Sequence, residues 1–338
     1  MSEFFLDYGL FLIKTVTIVV AIIVIIGAAA AAGRRGSHEG LEVESINKKY
    51  KSLASALRKA VFKKAERKQE AKEEKKREKA DSKAASRPRS FVVDFKGDLK
   101  ASAVPALREE VTAILDVATP EDDVIVRLEN HGGIVHEHGL AASQLARIRD
   151  RDIPLTVCVD KVAASGGYLM ACVASRIYAA PFAILGSIGV LAQIPNFHRM
   201  LDSHGVEFEQ ITAGKYKRTV TMFGENTDED RAKLKEELED VHTLFKTAVN
   251  TYRPDLDLEK VATGEHWYGT RALELGLADE IGTSDELLRS LAEERDLYQV
   301  VYKIKQPLQK RLMANVDGAL EKVDTARWRR RFESRLPR

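Results

Sequence analysis

The sequence has few cysteines, and several common catalytic signatures are missing from it. Its 338 residues include only Cys158 and Cys172, too few for a disulfide-stapled secreted scaffold or a cysteine-ligated zinc site. The pattern Gly-x-Ser-x-Gly is absent around Ser165 because position 163 is alanine, which weighs against an α/β-hydrolase. The chain is 44% hydrophobic and 31% charged, as expected of a globular protein with a substantial core.

Charge is distributed unevenly along the chain although the net charge is only +2. Residues 33–89 carry a net charge of +10 and residues 303–338 carry +7, whereas residues 90–302 carry −14. Few aromatic residues accompany the first basic segment, which holds only Tyr50 and Phe62. Nucleic-acid binding is therefore not expected, because it combines basic charge with aromatic stacking.

A long apolar run lies near the N-terminus. Residues 15–32 are uncharged and mostly apolar, and residues 10–13 extend the run with only Lys14 between them. About 20 apolar residues span a bilayer, so we predict a retained transmembrane anchor over residues 10–32. A cleaved signal peptide is the alternative, but the acidic start and the length of the run favour an anchor. Arg34 and Arg35 lie directly after the run, and the positive-inside rule places this end of the anchor in the cytoplasm.

Strands and helices alternate through the middle of the chain. Apolar runs of five or six residues predict strands over 90–95, 124–128, 155–159 and 176–180, and periodic segments predict helices over 104–117, 140–148, 165–175 and 226–250. Three successive βα units predict a parallel, helix-covered sheet, that is, an α/β fold. Residues 44–85 are predicted to form a long polar helix or tether, for which contact with anionic lipid is an alternative role.

These patterns divide the chain into five predicted segments. They are a short tail (1–9), the transmembrane anchor (10–32), a basic helical or disordered linker (33–89), a catalytic domain (90–290) and a basic C-terminal extension (291–338).

Two loops at the carboxyl ends of predicted strands carry the candidate chemistry. Residues 129–133 and 160–168 follow such strands, where open α/β sheets place their ligands. Adjacent glycines let a backbone approach a substrate, and N–H groups at a helix start can hold an oxyanion. Each feature also has a purely structural interpretation: Ser165 as a helix cap, Gly132 and Gly133 as a turn, and Asp160 as part of a solvated turn rather than of a cleft.

Four motifs occur in a fixed order along the chain. They are Gly132-Gly133, Ala164-Ser165-Gly166-Gly167-Tyr168, Gly186-Ser187-Ile188-Gly189-Val190 and Gly214-Lys215-Tyr216-Lys217. In order and spacing they resemble the signal peptide peptidase (SppA) family of serine proteases over about residues 90–290. The anchor and the basic segment after it resemble the SohB-type branch. The resemblance implies a membrane-anchored protease with a ClpP/crotonase-like fold.

The resemblance also implies roles for particular residues. Ser165 matches the nucleophile, Lys217 the general base, and Ser187 the hydroxyl that orients that lysine. Gly133 and Gly166 fall where backbone N–H groups form the oxyanion hole. No cofactor or metal is implied.

A serine–lysine pair has a physical requirement of its own. A free lysine has a pKa of about 10.4 and is protonated near neutrality, so it acts as a base only where burial lowers that pKa. Lys215 is the alternative to Lys217 as the general base, because residues i and i+2 of a strand point to the same face of the sheet.

Histidines offer two alternative chemistries. A Ser-His-Asp triad would use one of four histidines that lie in no recognisable motif, namely His198, His204, His242 and His266. A metal site from His131, His136 and His138 with Glu129 or Glu137 has a spacing that matches no established pattern.

The function indicated is a membrane-anchored serine endopeptidase that uses a Ser-Lys dyad. Hydrophobic peptides, such as remnant signal peptides, or misfolded envelope proteins are its expected substrates, and membrane lipid and further copies of the chain its expected partners. A crotonase-type acyl-CoA enzyme and an inactive membrane scaffold are the alternatives. The expected location is the bacterial inner membrane, crossed once. The positive-inside rule places the catalytic domain in the cytoplasm, whereas the resemblance places it in the periplasm.

Overall fold

The computed structural model describes residues 9, 11–21, 39–63, 66 and 87–304. The chain divides into two units: one comprises Leu41–Tyr302, and the other comprises Met1–Gly40 and Lys303–Arg338. In the second unit, residues 11–21 are helical. Within the described residues, no helix is both long and apolar enough to cross a membrane. Residues 10 and 22–32 of the predicted anchor lie outside the described residues.

A seven-stranded sheet forms the centre of the larger unit. Its strands are β1 (Gly40–Ser45), β2 (Arg89–Lys96), β3 (Asp123–Glu129), β4 (Leu155–Val159), β6 (Arg176–Ala179), β9 (Glu280–Ile281) and β10 (Asp296–Lys303), in the spatial order β1-β10-β2-β3-β4-β6-β9. From β10 to β9 each neighbouring pair is parallel. All five residues of β4 are buried, which is why the central strands appear in the sequence as continuous apolar runs.

Helices cover the sheet, as the sequence predicts for an α/β fold. The helices of the larger unit are α1 (Ile46–Val61), α2 (Val104–Val117), α3 (Val135–Arg149), α4 (Gly166–Ala171), α5 (His198–Ser203), α6 (Asp228–Tyr252), α7 (Leu258–Val261), α8 (Gly269–Glu274) and α9 (Ser284–Leu291). One sheet face packs in the main core with α2, α3 and α4, and the other packs with Ile46 of α1 and Leu288 of α9. The α/β prediction is therefore confirmed.

A second, three-stranded sheet positions the candidate site. It consists of β5 (Val162–Ala164), β7 (Ile184–Gly186) and β8 (His266–Tyr268), in the order β5-β7-β8. Strands β5 and β7 are parallel and pair Ala164 with Gly186, whereas β7 and β8 are antiparallel. Ser165 and Ser187 each follow the last residue of one of the two parallel strands.

The structure corrects the predicted segment boundaries. Residues 40–61, assigned to the linker, form β1 in the large sheet and α1 above it. Residues 296–303, assigned to the C-terminal extension, form β10 beside β2. The long polar helix predicted from residue 44 begins at Ile46, and residues 64–65 and 67–86 lie outside the described residues. Helix α4 ends at Ala171, earlier than the predicted helix over 165–175.

Glu110 is a buried acid beneath the last strand. Its side chain lies on α2, the residue is only 5% exposed, and Oε1 accepts a hydrogen bond of 2.8 Å from the Tyr302 N–H. Burial raises the pKa of Glu110 from an ordinary value of 4.5 to about 7. Between these two values the folded chain binds more protons than the unfolded chain, so this residue lowers stability as pH rises.

Glu110→Gln should therefore stabilise the protein at pH 8 by on the order of 2–3 kcal/mol and have little effect at pH 5. Glutamine keeps the oxygen that accepts from Tyr302 but cannot ionise. Thermal unfolding at the two pH values measures the difference, with Glu109→Gln, an exposed neighbour on the same helix, as the control. Equal effects of Glu110→Gln at both pH values would contradict a buried, titrating carboxyl.

Candidate active site

Ser165 occupies a strained turn between β5 and α4. Its φ of 52° and ψ of −121° lie in a region that non-glycine residues rarely adopt. The Ser165 N–H donates a hydrogen bond of 2.8 Å to the Gly186 carbonyl, and its own carbonyl accepts one of 3.0 Å from the Leu169 N–H. The Ser165 side chain does not cap α4. The backbone is thus held on both sides while the hydroxyl is left available.

Ser187 lies beside Ser165 because of the strand register. The paired residues Ala164 and Gly186 immediately precede the two serines. Ser187 has the same φ of 52°, and its N–H donates a hydrogen bond of 2.6 Å to the Glu265 carbonyl. The strand register therefore places two of the three residues predicted for the catalytic group at neighbouring strand ends.

The glycine loop after β3 approaches the same point. Gly132 has a φ of +84°, and a Cβ built on it would lie 2.7 Å from Ser165 Cβ and 2.8 Å from the Gly166 nitrogen. A Cβ on Gly133 would lie 2.3 Å from the Leu99 carbonyl oxygen. Neither position has room for a side chain, so the loop passes directly over the turn that holds Ser165.

The N–H groups predicted for the oxyanion hole have no acceptor in the part of the chain that the structure describes. Within the described residues, neither Gly133 nor Gly166 donates a backbone hydrogen bond, whereas the intervening Gly132 N–H donates to Asn130 Oδ1 at 2.9 Å. Backbone N–H groups without a protein acceptor, in the residue after a serine and in the loop packed against it, are chemically suited to stabilising an oxyanion.

Sequence reasoning missed Asn130, which joins the loop to the small sheet. Asn130 is fully buried; its N–H donates to the Val162 carbonyl at 2.8 Å, and its carbonyl accepts from the Ala164 N–H at 3.0 Å. The signal in the sequence was a polar residue that directly follows a buried strand and precedes a pair of glycines.

For Asp160 the sequence left two interpretations open, a solvated turn and part of a cleft. Its carboxylate accepts hydrogen bonds from the Ser284 N–H and hydroxyl at 2.7 and 2.5 Å and so anchors α9.

The two candidate lysines differ in their surroundings. Lys215 forms an ion pair of 3.1 Å with Glu229, and its Nζ lies 4.9 Å from the centre of the Tyr216 ring. Hydrogen bonds to Tyr216 and Glu229 raise the pKa of Lys215 to about 12, which keeps it protonated. Lys217 is exposed, and its N–H donates to the Gly214 carbonyl at 3.2 Å. No hydrogen bond in the described chain joins Lys217 to Ser165.

The histidines are scattered around the site. His136 is exposed and lies 3.7 Å from Glu137, whereas His138 is fully buried with both ring nitrogens facing oxygen atoms. Of the four triad candidates, His266 lies in the small sheet, where it pairs with Gly186 across β7 and β8. His266 is exposed.

Comparison with known proteins identifies the family. Residues 147–298 match the description "Peptidase family S49", and residues 3–145 match "Peptidase family S49 N-terminal". A Buchnera aphidicola protein named "Probable protease SohB" is 53% identical over 233 residues, which cover 69% of each chain. The chain belongs to peptidase family S49. The predicted family is thereby confirmed.

Two further proteins are similar to this chain over part of their length. A second "Probable protease SohB", from Haemophilus influenzae, is 56% identical over 221 residues, which cover 65% of this chain and 63% of that protein. The chain thus spans less than two thirds of this relative's length. A "Putative signal peptide peptidase SppA" from Enterococcus faecium is 29% identical over 177 residues, or 52% of this chain and 51% of that protein.

Gly132→Ala should destabilise the protein by about 1–3 kcal/mol, because a non-glycine residue held at positive φ costs that much free energy. The added Cβ would also collide with Ser165. Thermal unfolding measures the loss. Gly139→Ala is the control: it lies within α3, has nothing within 4 Å of its Cβ position, and should stabilise the helix by up to about 1 kcal/mol. Equal effects of the two substitutions would refute the close approach at Gly132.

Proposed function

We propose that this S49 family member is a serine endopeptidase in which Ser165 is the nucleophile and Lys217 the general base. Ser187 orients the lysine, and the N–H groups of Gly133 and Gly166 form the oxyanion hole. The observation that carries the proposal is the strained turn at Ser165, which packs against Gly132, while the N–H groups of Gly133 and Gly166 have no acceptor among the described residues. Such strain at a polar residue is common at catalytic sites.

The chemistry can be derived from these positions. Ser165 Oγ attacks the carbonyl carbon of the scissile peptide while its proton passes to Lys217 Nζ. The negative charge that develops on the carbonyl oxygen is stabilised by the two backbone N–H groups. The C–N bond then breaks, and the departing amine takes the proton from Lys217. A water molecule, deprotonated by the same lysine, hydrolyses the acyl-enzyme and restores Ser165.

The choice of Lys217 over Lys215 is supported by their partners. Lys215 is engaged by Glu229 and Tyr216, which hold its proton. Lys217 has no such acidic partner among the described residues, and it is exposed. A lysine that acts as a base has to be desolvated. We infer that bound substrate or a second copy of the chain covers this segment in the working enzyme.

Assembly into a homo-oligomer would shield Lys217 and its neighbours from solvent. Residues 182–223 expose many large apolar side chains, with Ile211 94% exposed and Phe182 84% exposed. Large apolar side chains exposed in such number are typical of an interaction site. The same surface suits hydrophobic peptides, such as remnant signal peptides, or misfolded envelope proteins as substrates. The name of the Enterococcus faecium relative, a putative signal peptide peptidase, agrees with that substrate class.

We further propose that residues 10–32 anchor the protein in the bacterial inner membrane, on the strength of their apolar composition. Basic residues after the run favour a cytoplasmic catalytic domain, whereas the family resemblance favours a periplasmic one. A reporter fused after the last residue distinguishes the two orientations.

Two alternatives are a crotonase-type acyl-CoA enzyme and an inactive scaffold. Both share the fold, and neither requires a reactive serine. Labelling of Ser165 by a fluorophosphonate probe separates them from a serine peptidase, because the probe reacts only with an activated hydroxyl.

Ser165→Ala and Lys217→Ala should each reduce cleavage of a fluorogenic hydrophobic peptide at least about a thousandfold. The double variant should be no worse than either single one, since the two residues act as a unit. Lys215→Ala and His266→Ala are matched controls that should retain most activity. Substantial activity in Ser165→Ala, or a loss in His266→Ala as large as in Lys217→Ala, would overturn the dyad.

Ile211→Asn should lower the mass of the detergent-solubilised protein measured by light scattering, because it places an amide in the proposed contact surface. Val117→Asn, at a 52% exposed position on α2, should leave the mass unchanged. A fully active wild-type protein with the mass of one protomer would refute the oligomer.

A further inference from the structure

A buried histidine links both halves of the proposed oxyanion hole. His138 lies on α3 and is fully buried. A Cβ built on Gly166 would lie 2.5 Å from His138 Cγ, so the imidazole packs directly against the backbone that carries one proposed oxyanion donor.

Through Asn130 the same imidazole also contacts Gly132, the residue before the other proposed donor, Gly133. His138 Nε2 lies 3.2 Å from Asn130 Oδ1, which also accepts the hydrogen bond of 2.9 Å from the Gly132 N–H. Because Asn130 Oδ1 only accepts, this contact is a hydrogen bond in the tautomer that carries the ring proton on Nε2. His138 is therefore one of the contacts that orient the Asn130 amide, whose oxygen binds the Gly132 N–H.

Asn130 is held in place from three further directions. Its Nδ2 donates to Met170 Sδ of α4 at 3.3 Å, its backbone bonds to β5, and a Cβ on Gly167 would lie 2.2 Å from its carbonyl oxygen. His138 Nδ1 in turn lies 3.0 Å from the Ile134 carbonyl oxygen. Asn130, His138 and Met170 are all fully buried, and their contacts join the loop after β3 to β5, α3 and α4.

We infer that His138, acting through Asn130, is a positioning residue that aligns the N–H groups of Gly133 and Gly166 on one point. This inference rests on the proposed function, because it assigns those N–H groups to the oxyanion hole. Oxyanion donors act mainly in the transition state, so misalignment should slow attack by Ser165 and leave peptide binding unchanged.

Three substitutions separate a positioning role from simple packing. The amide nitrogen of glutamine lies about where histidine has Nε2, so His138→Gln can still donate to Asn130. The amide nitrogen of asparagine lies about where histidine has Nδ1, so His138→Asn keeps only the contact to Ile134. His138→Phe fills the space without any hydrogen bond.

The test uses the full chain in detergent and measures the rate at which a fluorophosphonate labels Ser165. His138→Phe and His138→Asn should label about 10- to 100-fold more slowly than wild type, whereas His138→Gln should stay within a few-fold. The Kd of a hydrophobic peptide, measured in a Ser165→Ala background, should be unchanged in all three. His136→Phe, an exposed neighbour, is the control.

Outcomes that overturn the inference are distinct from failure of the proposed function. Wild-type labelling rates in folded His138→Phe, or a rate in His138→Gln as slow as in His138→Asn, would refute the positioning role while leaving the serine peptidase assignment intact.

If the fluorophosphonate does not label the wild-type protein, the proposed function is wrong. Hydrogen exchange over residues 130–134 then decides the positioning role: faster exchange in His138→Phe than in His136→Phe supports it, and equal exchange refutes it.

Discussion

Gly132 lies against Ser165 and Gly166 with no space for a side chain, and the rest of the site depends on this contact. It needs a glycine at positive φ in one loop and a serine forced to positive φ in the other. The pairing of β5 with β7 enforces the second condition, because the Ser165 N–H is bonded to Gly186 across that pair. Backbone strain is thus held by a sheet rather than by a flexible loop.

The proposed catalytic residues lie in two different environments, one buried and one exposed. Ser165, Ser187 and the glycine loop are built on buried strands, and the buried pair of Asn130 and His138 joins them. Lys217 instead lies in an exposed segment whose large apolar side chains face solvent. Desolvation of the lysine by substrate or by a second copy would make activity conditional on the enzyme being occupied or assembled.

Sequence patterns predicted the strands that are buried on both faces and the helices that bury one regular face. The bounds of α2 and β4 match the predicted ranges because apolar periodicity alone determines them. Strands β1 and β10 were missed because they lie in charged or terminal segments, and β10 pairs with β2, far away in the chain. The burial of Asn130 and His138, and the ion pair of Lys215 with Glu229, depend on tertiary contacts that no local pattern contains.

The most direct test of the oxyanion assignment is a crystal structure of the protein with Ser165 modified by a phosphonate. The account predicts that the phosphonyl oxygen accepts hydrogen bonds from the N–H groups of both Gly133 and Gly166, at about 2.7–3.1 Å. A phosphonyl oxygen that faces solvent, or that is held by other donors while both N–H groups stay unoccupied, would contradict it.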